Sequence, residues 1–117
     1  MSLDKKLHNV RYAWNGVTIA WAEEFSFRLQ VGILAFVCAL GWLVGISKLE
    51  WLFVFLSASI VLSAEIFNTA LEEFCDKYKS DPDPHIAKIK DLAAGAVLVA
   101  SFFAGVIGLI IFVPRFV

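Results

Sequence analysis

Charge is scarce in this chain. Of its 117 residues, 18% are Asp, Glu, Lys or Arg and 60% are apolar. An ordinary soluble domain carries about 25% charged residues, and a globule of this length has a large surface to cover with them. A typical soluble domain is therefore excluded, and so is disorder, which needs low hydrophobicity. Cysteine is scarce too. Cys38 and Cys75 stand far apart and form neither a disulfide framework nor a metal-ligand spacing. Histidine occurs only at positions 8 and 85, so there is no His/Cys cluster for zinc and no Ser-His-Asp set. Neither G-x-x-x-x-G-K-[ST] nor G-x-G-x-x-G is present. The net charge is −1, from 10 basic and 11 acidic residues, and no basic stripe points to nucleic acid.

What the chain has is long apolar runs and aromatics. Residues 29–46 and 92–113 carry no charge, and 51–64 is an apolar run that continues past Glu65 towards Leu71. A bilayer core needs about 20 apolar residues per helix. The expectation is one all-α membrane domain over 1–117, with spans at 29–46, 51–76 and 92–113, the second including a polar extension. Aromatics make up 15% of the residues, with four Trp and eleven Phe, which suits interfacial anchoring.

Residues 1–28 hold charges throughout and have no signal-peptide core. Val10, Trp14, Val17, Ala20 and Trp21 recur at helical spacing, which predicts an amphipathic helix on the membrane surface. A helix packed on the rest of the protein is the alternative. Four basic residues fall in 1–28 (Lys5, Lys6, Arg11, Arg28) and four in the 77–91 loop (Lys77, Lys79, Lys88, Lys90). Lys48 and Arg115 are the two on the other side, so the N-terminus and the 77–91 loop are expected in the cytoplasm. Within that loop, Asp81-Pro82-Asp83-Pro84 interrupts helix. Residues 47–50 leave room for a tight helical turn. Gly41 and Gly45 form a lone GxxxG, which permits close helix contact.

The chemistry concentrates on the second span. At ~100° per residue, Asn68, Thr69, Glu72 and Asp76 all fall within about 60° of Glu65. Glu65 lies 14 residues beyond Trp51, about 21 Å along the helix, or roughly 9 Å inside the edge of a ~30 Å core. A carboxylate there costs several kcal/mol unless paired, solvated or protonated, which makes Glu65 a candidate general base. Glu72 and Asp76 lie nearer water. Carboxylates so spaced suit Mg²⁺, which takes a few carboxylates plus phosphate and water. Hydrogen bonding to neighbouring helices is the bland alternative. Glu24, of the pair Glu23-Glu24, is placed to complete a metal site with Glu72, or simply marks the end of the surface helix. Lys90 offers a point charge to phosphate, or anchors the positive side. Asp91 is placed to cap the third span, and His85 reads as a solvated loop histidine.

The run Ala64-Glu65-Ile66-Phe67-Asn68-Thr69-Ala70-Leu71-Glu72, with Asp76 after it, resembles the signature of the prokaryotic diacylglycerol kinase family. Glu24-x-x-Phe27-Arg28, Lys90-Asp91 and Tyr12 match further positions, and the likeness runs along essentially the whole chain. The resemblance implies a homotrimeric lipid kinase of the bacterial cytoplasmic membrane, with a surface helix, three spans and active sites between subunits. It implies Glu65 as base on the lipid hydroxyl and Asn68 as the residue that orients it. Glu24 and Glu72 would hold Mg²⁺ and phosphates. Tyr12, Asp76, Lys90 and Asp91 would serve ATP, and Phe27 and Arg28 would stand with Glu65 on the lipid side. The family's acceptors are diacylglycerol and undecaprenol. Phe25-Ser26-Phe27-Arg28 and the run Ile107 to Arg115 are similar to the undecaprenol-type members, and Leu29-Gln30 departs from the Gln-Glu of the diacylglycerol type. Undecaprenol is the favoured acceptor. A small proton-coupled transporter is the alternative of another class: it needs Glu65 but not Glu24, Glu72 and Lys90 beside it.

Overall fold

The computed structural model describes residues 2–78 and 82–117. Lys79 and Asp81, counted above in the loop, lie outside the described residues. The described chain is four helices: α1 (Leu3–Glu23), α2 (Phe25–Val44), α3 (Lys48–Tyr78) and α4 (Pro84–Phe116). The last three are long and apolar enough to cross a membrane. Side chains such as Phe36, Trp42, Phe55, Leu98 and Phe103 are exposed along them, an exterior that suits lipid.

Local sequence sets each helix boundary. Ser2 caps α1, its Oγ accepting from the Lys5 N–H at 3.3 Å. Helix α1 stops because Glu24 turns extended, at φ −112° and ψ 109°. The chain then re-enters helix at Phe25, so Glu24 is the single joint between α1 and α2. Arg28 braces this joint. Its Nη1 donates to the Trp21 carbonyl at 2.6 Å and the Ala22 carbonyl at 3.2 Å, two of the α1 carbonyls left without an intrahelical partner.

The two glycines of the GxxxG serve the turn between α2 and α3. Gly45 adopts the left-handed conformation, φ 71° and ψ 57°, which an L side chain resists by about 1–2 kcal/mol. The Gly45 and Ile46 N–H groups both donate to the Gly41 carbonyl, at 2.9 and 3.1 Å. A Cβ on Gly41 would stand 2.9 Å from Ile46 Cδ1 and 3.2 Å from Trp51 Cη2. The close contact that Gly41 permits is therefore with its own corner. Ser47 and Glu50 then start α3 with a reciprocal capping box: the Ser47 N–H donates to Glu50 Oε1 at 2.9 Å, and the Glu50 N–H to Ser47 Oγ at 3.2 Å.

The expected 77–91 loop is mostly helix. Pro84 stands at the first turn of α4, where its missing N–H is harmless. Asp83, not Asp91, caps this helix, accepting from the His85 N–H at 2.8 Å and the Ile86 N–H at 3.4 Å. Asp91 sits inside α4, two turns beyond the start, so the capping role expected for it is wrong. The reason is that proline, which breaks a helix interior, is well suited to the first turn of a new one.

Helix α3 packs mainly on α4 and more lightly on α2. The core cluster is Ile46, Val54 and Ile111, with Leu34, Val37, Trp51 and Phe112 around it, at the end where α2 turns into α3. That end is also clasped by charge. Arg115 of α4 reaches Glu50 with both guanidinium arms, Nη1 at 2.9 Å and Nη2 at 2.7 Å. The polar stripe of α3 lies towards the opposite end.

Candidate active site

Glu65 is the buried acid of this protein, 5% exposed and the one polar or charged residue among the buried residues described. It points from α3 to α2, where Gln30 Nε2 donates to its Oε2 at 3.3 Å. Glu24 and Glu72 are the charged groups close enough to act on it. Two side chains of the stripe are spent locally. Thr69 Oγ1 donates to the Glu65 carbonyl at 3.0 Å, which removes it from the chemistry. Asn68 Nδ2 donates to Glu72 Oε1 at 3.4 Å, which fixes one carboxylate oxygen of Glu72 and leaves the other free for a ligand.

One turn further along, Lys90 of α4 meets Asp76 of α3 at 2.9 Å, and Glu72 also lies within its electrostatic reach. The pair is open to solvent, with side chains 39% and 66% exposed. The arrangement runs from a desolvated carboxylate through two half-buried polar residues to a solvated cation. Such a gradient can serve an apolar acceptor at one end and an anionic, water-soluble donor at the other.

The remaining expected residues are placed as follows. Glu24 is half-buried at the α1–α2 joint and caps nothing with its side chain. Phe27 is buried at 5% exposure, and Arg28 is engaged with the α1 carbonyls. Tyr12 is 69% exposed on α1. Asp91 faces elsewhere. It lines a groove of about 1180 Å³ along α3 and α4, whose α3 wall is Phe53, Leu56, Ser57, Ile60 and Ala64 rather than Glu65. The structure brings Glu65, Glu24, Asn68, Glu72, Asp76 and Lys90 into one neighbourhood, while Tyr12 stands exposed on α1 and Asp91 lines the α3–α4 groove.

Among the described residues no three His, Cys, Asp or Glu side chains gather as a metal cage. Mg²⁺ rarely asks for one: one or two carboxylates plus substrate phosphate and water are its usual set. Glu24 and Glu72 are carboxylates of that kind, and both act electrostatically on Glu65.

Gln30 was not among the expected site residues. Its side chain touches Glu65 across 35 positions of sequence, and no local motif marks it. A polar residue one position after an apolar run begins was the available signal.

The family model described as prokaryotic diacylglycerol kinase matches residues 11–112. The chain belongs to this family. Its relatives include an undecaprenol kinase of Bacillus subtilis (strain 168), 34% identical over 109 residues, covering 93% of this chain and 85% of the relative. A diacylglycerol kinase of Synechocystis is also 34% identical over 109 residues, covering 92% of this chain but only 62% of the relative. A diacylglycerol kinase of Escherichia coli (strain K12) is 31% identical over 94 residues, 80% of this chain and 76% of the relative. The family makes this chain a membrane lipid kinase with ATP as the implied donor. Identity does not select the acceptor, because an undecaprenol kinase and a diacylglycerol kinase both match at 34%.

Proposed function

We propose that this kinase transfers the γ-phosphoryl group of ATP to the hydroxyl of undecaprenol, with Glu65 as the general base. The observation that carries the reading is the buried carboxylate of Glu65, set about two helical turns from Glu72 and about three from the Asp76 that pairs with Lys90. The lipid oxygen attacks the γ-phosphorus, its proton passes to a Glu65 oxygen, and the bond from that phosphorus to ADP breaks. Asn68 holds Glu72 in place, and Lys90 meets phosphate charge at the solvated end. Glu24 and Glu72 would hold Mg²⁺, which supplies charge neutralisation on the phosphates when bound. Tyr12 and Asp76 serve the nucleotide, and Phe27 and Arg28 stand on the lipid side, Arg28 by holding the joint.

The choice of undecaprenol rests on three supports. Phe25-Ser26-Phe27-Arg28 and the run Ile107 to Arg115 resemble the undecaprenol type. Leu29-Gln30 departs from the diacylglycerol type. A cavity of about 290 Å³ opens between α2, α3 and α4 with Gln30, Leu34, Val61 and Gly105 among its walls. It is about twice the ~150 Å³ apolar cavity that accepts a benzene ring, room for the first stretch of an apolar chain such as that of undecaprenol.

The site is read as cytoplasmic in the bacterial inner membrane, since eight of the ten basic residues lie on its side. Helix α1 is read as lying on the membrane surface, and the assembly as a homotrimer. The exposed apolar flanks and the position of Asp91 away from Glu65 support an active site completed by a neighbouring subunit. The test is a competition: purified protein in mixed micelles with ATP, Mg²⁺ and equal amounts of both lipids, both phospholipids quantified. Preferential undecaprenyl phosphate supports the reading. Phosphatidic acid alone reassigns the acceptor, and neither product removes the kinase reading.

A further inference from the structure

Two buried side-chain oxygens near Glu65 have no hydrogen-bond partner, Gln30 Oε1 and Asn68 Oδ1. A buried, unpartnered polar atom costs about 1–3 kcal/mol, and native structures hold few of them. Both belong to amides whose nitrogen is spent on a carboxylate, Gln30 on Glu65 and Asn68 on Glu72. Gln30 also stands in the wall of the apolar cavity between α2, α3 and α4. It is therefore the polar group of that wall that also touches the base.

We propose that Gln30 is a positioning residue for phosphoryl transfer, holding Glu65 through its amide both before and after the base takes up the lipid proton. The proposal rests on the reading of Glu65 as the base. In the arrangement observed, the Gln30 Nε2–H donates to Glu65 Oε2 at 3.3 Å and holds that oxygen. Once the oxygen that Gln30 holds carries the proton it becomes a donor, and the N–H group no longer matches that oxygen. The amide carries a donor and an acceptor on the same carbon. A half-turn about its last bond presents Oε1 to the new O–H, and Oε1 is free to take it. A carboxylate at position 30 lacks the first half of this exchange, and an alkyl chain lacks both.

The experiment is steady-state kinetics of the full-length protein in mixed micelles, with Gln30→Met, Gln30→His and Glu65→Gln beside the parent. Gln30→Met keeps shape and removes both hydrogen bonds. The expected result is a fall in kcat of about 10- to 100-fold, the range of one hydrogen bond to a charged group, with KM for ATP and for lipid unchanged. Gln30→His restores a donor and an acceptor and recovers most of the lost rate. A merely structural role would raise KM, lower the thermal midpoint and resist rescue by histidine, and that pattern overturns the proposal. Full kcat in Gln30→Met overturns it as well. If Gln30→Met does not fold, Gln30→Asn decides: it keeps the amide but falls short of Glu65 by one methylene, so unchanged kcat counts against the proposal and reduced kcat with unchanged KM supports it. Glu65→Gln separates the two readings. Its inactivity with a fully active Gln30→Met defeats only the role of Gln30, whereas an active Glu65→Gln defeats the base itself.

Discussion

At Glu65 a carboxylate is withdrawn from solvent to 5% exposure and, among the described residues, met by one side-chain donor, Gln30. Replacing it with glutamine keeps the volume and removes the base. Glu65→Gln is expected to lose at least about 10²-fold in kcat, the lower end of what a general base contributes. Nucleotide binding, read by Mg²⁺-dependent protection from proteolysis, should persist. Equal loss of both would argue against the base role. Lys90 illustrates a different balance. Its bond to Asp76 is exposed, and exposed ion pairs add little to stability. Lys90→Met should therefore raise KM for ATP while leaving the thermal midpoint nearly where it was, and a large drop in midpoint would assign the pair a structural role. At this scale the sequence was informative about Glu65, Asn68, Glu72 and Asp76, because one helix spaces them on one face. It was silent about Gln30, whose significance comes from a neighbouring helix.

Among the elements, the turn from α2 to α3 combines three devices within ten residues: a left-handed glycine, a capping box and a two-armed ion pair to α4. Gly45→Ala should cost about 1–2 kcal/mol through its positive φ, and Ser47→Ala about 1 kcal/mol through the lost cap. Both are checked by unfolding in detergent, with kcat per folded molecule unchanged because the site lies at the other end. A loss of kcat per folded molecule would instead couple this corner to the site. The GxxxG was legible as a pattern, but not as a corner: Gly41 makes room for Ile46 and Trp51, which follow it in the same chain. Likewise Pro82 and Pro84 signalled a break, and Pro84 turned out to open α4 instead of extending a loop. Local residue types mark where regular structure is interrupted. Which side of the mark is helical depends on the cap, and Asp83 provides it.

For the whole molecule, the separation of Asp91 from Glu65 leads to a test of assembly. If the site is completed between subunits, a chain carrying Glu65→Gln and a chain carrying Asp91→Asn each fail alone, yet recover activity when they assemble together. No recovery on mixing from the denatured state would confine the site to one chain. The same experiment bears on the wide α3–α4 groove that Asp91 lines, because a neighbour seated there would approach Asp91.

The sequence by itself determined the class of this protein: long uncharged runs oblige the backbone to satisfy itself as helices in lipid. It also determined the chemistry of the α3 stripe, since helical spacing alone puts Glu65, Asn68, Glu72 and Asp76 on one face. Only the tertiary structure decided what that face meets. Gln30 against Glu65, Lys90 against Asp76 and Arg115 against Glu50 all join residues on different helices. No periodicity along one helix encodes a contact with another, because it depends on how the helices pack and how each turn directs the next one.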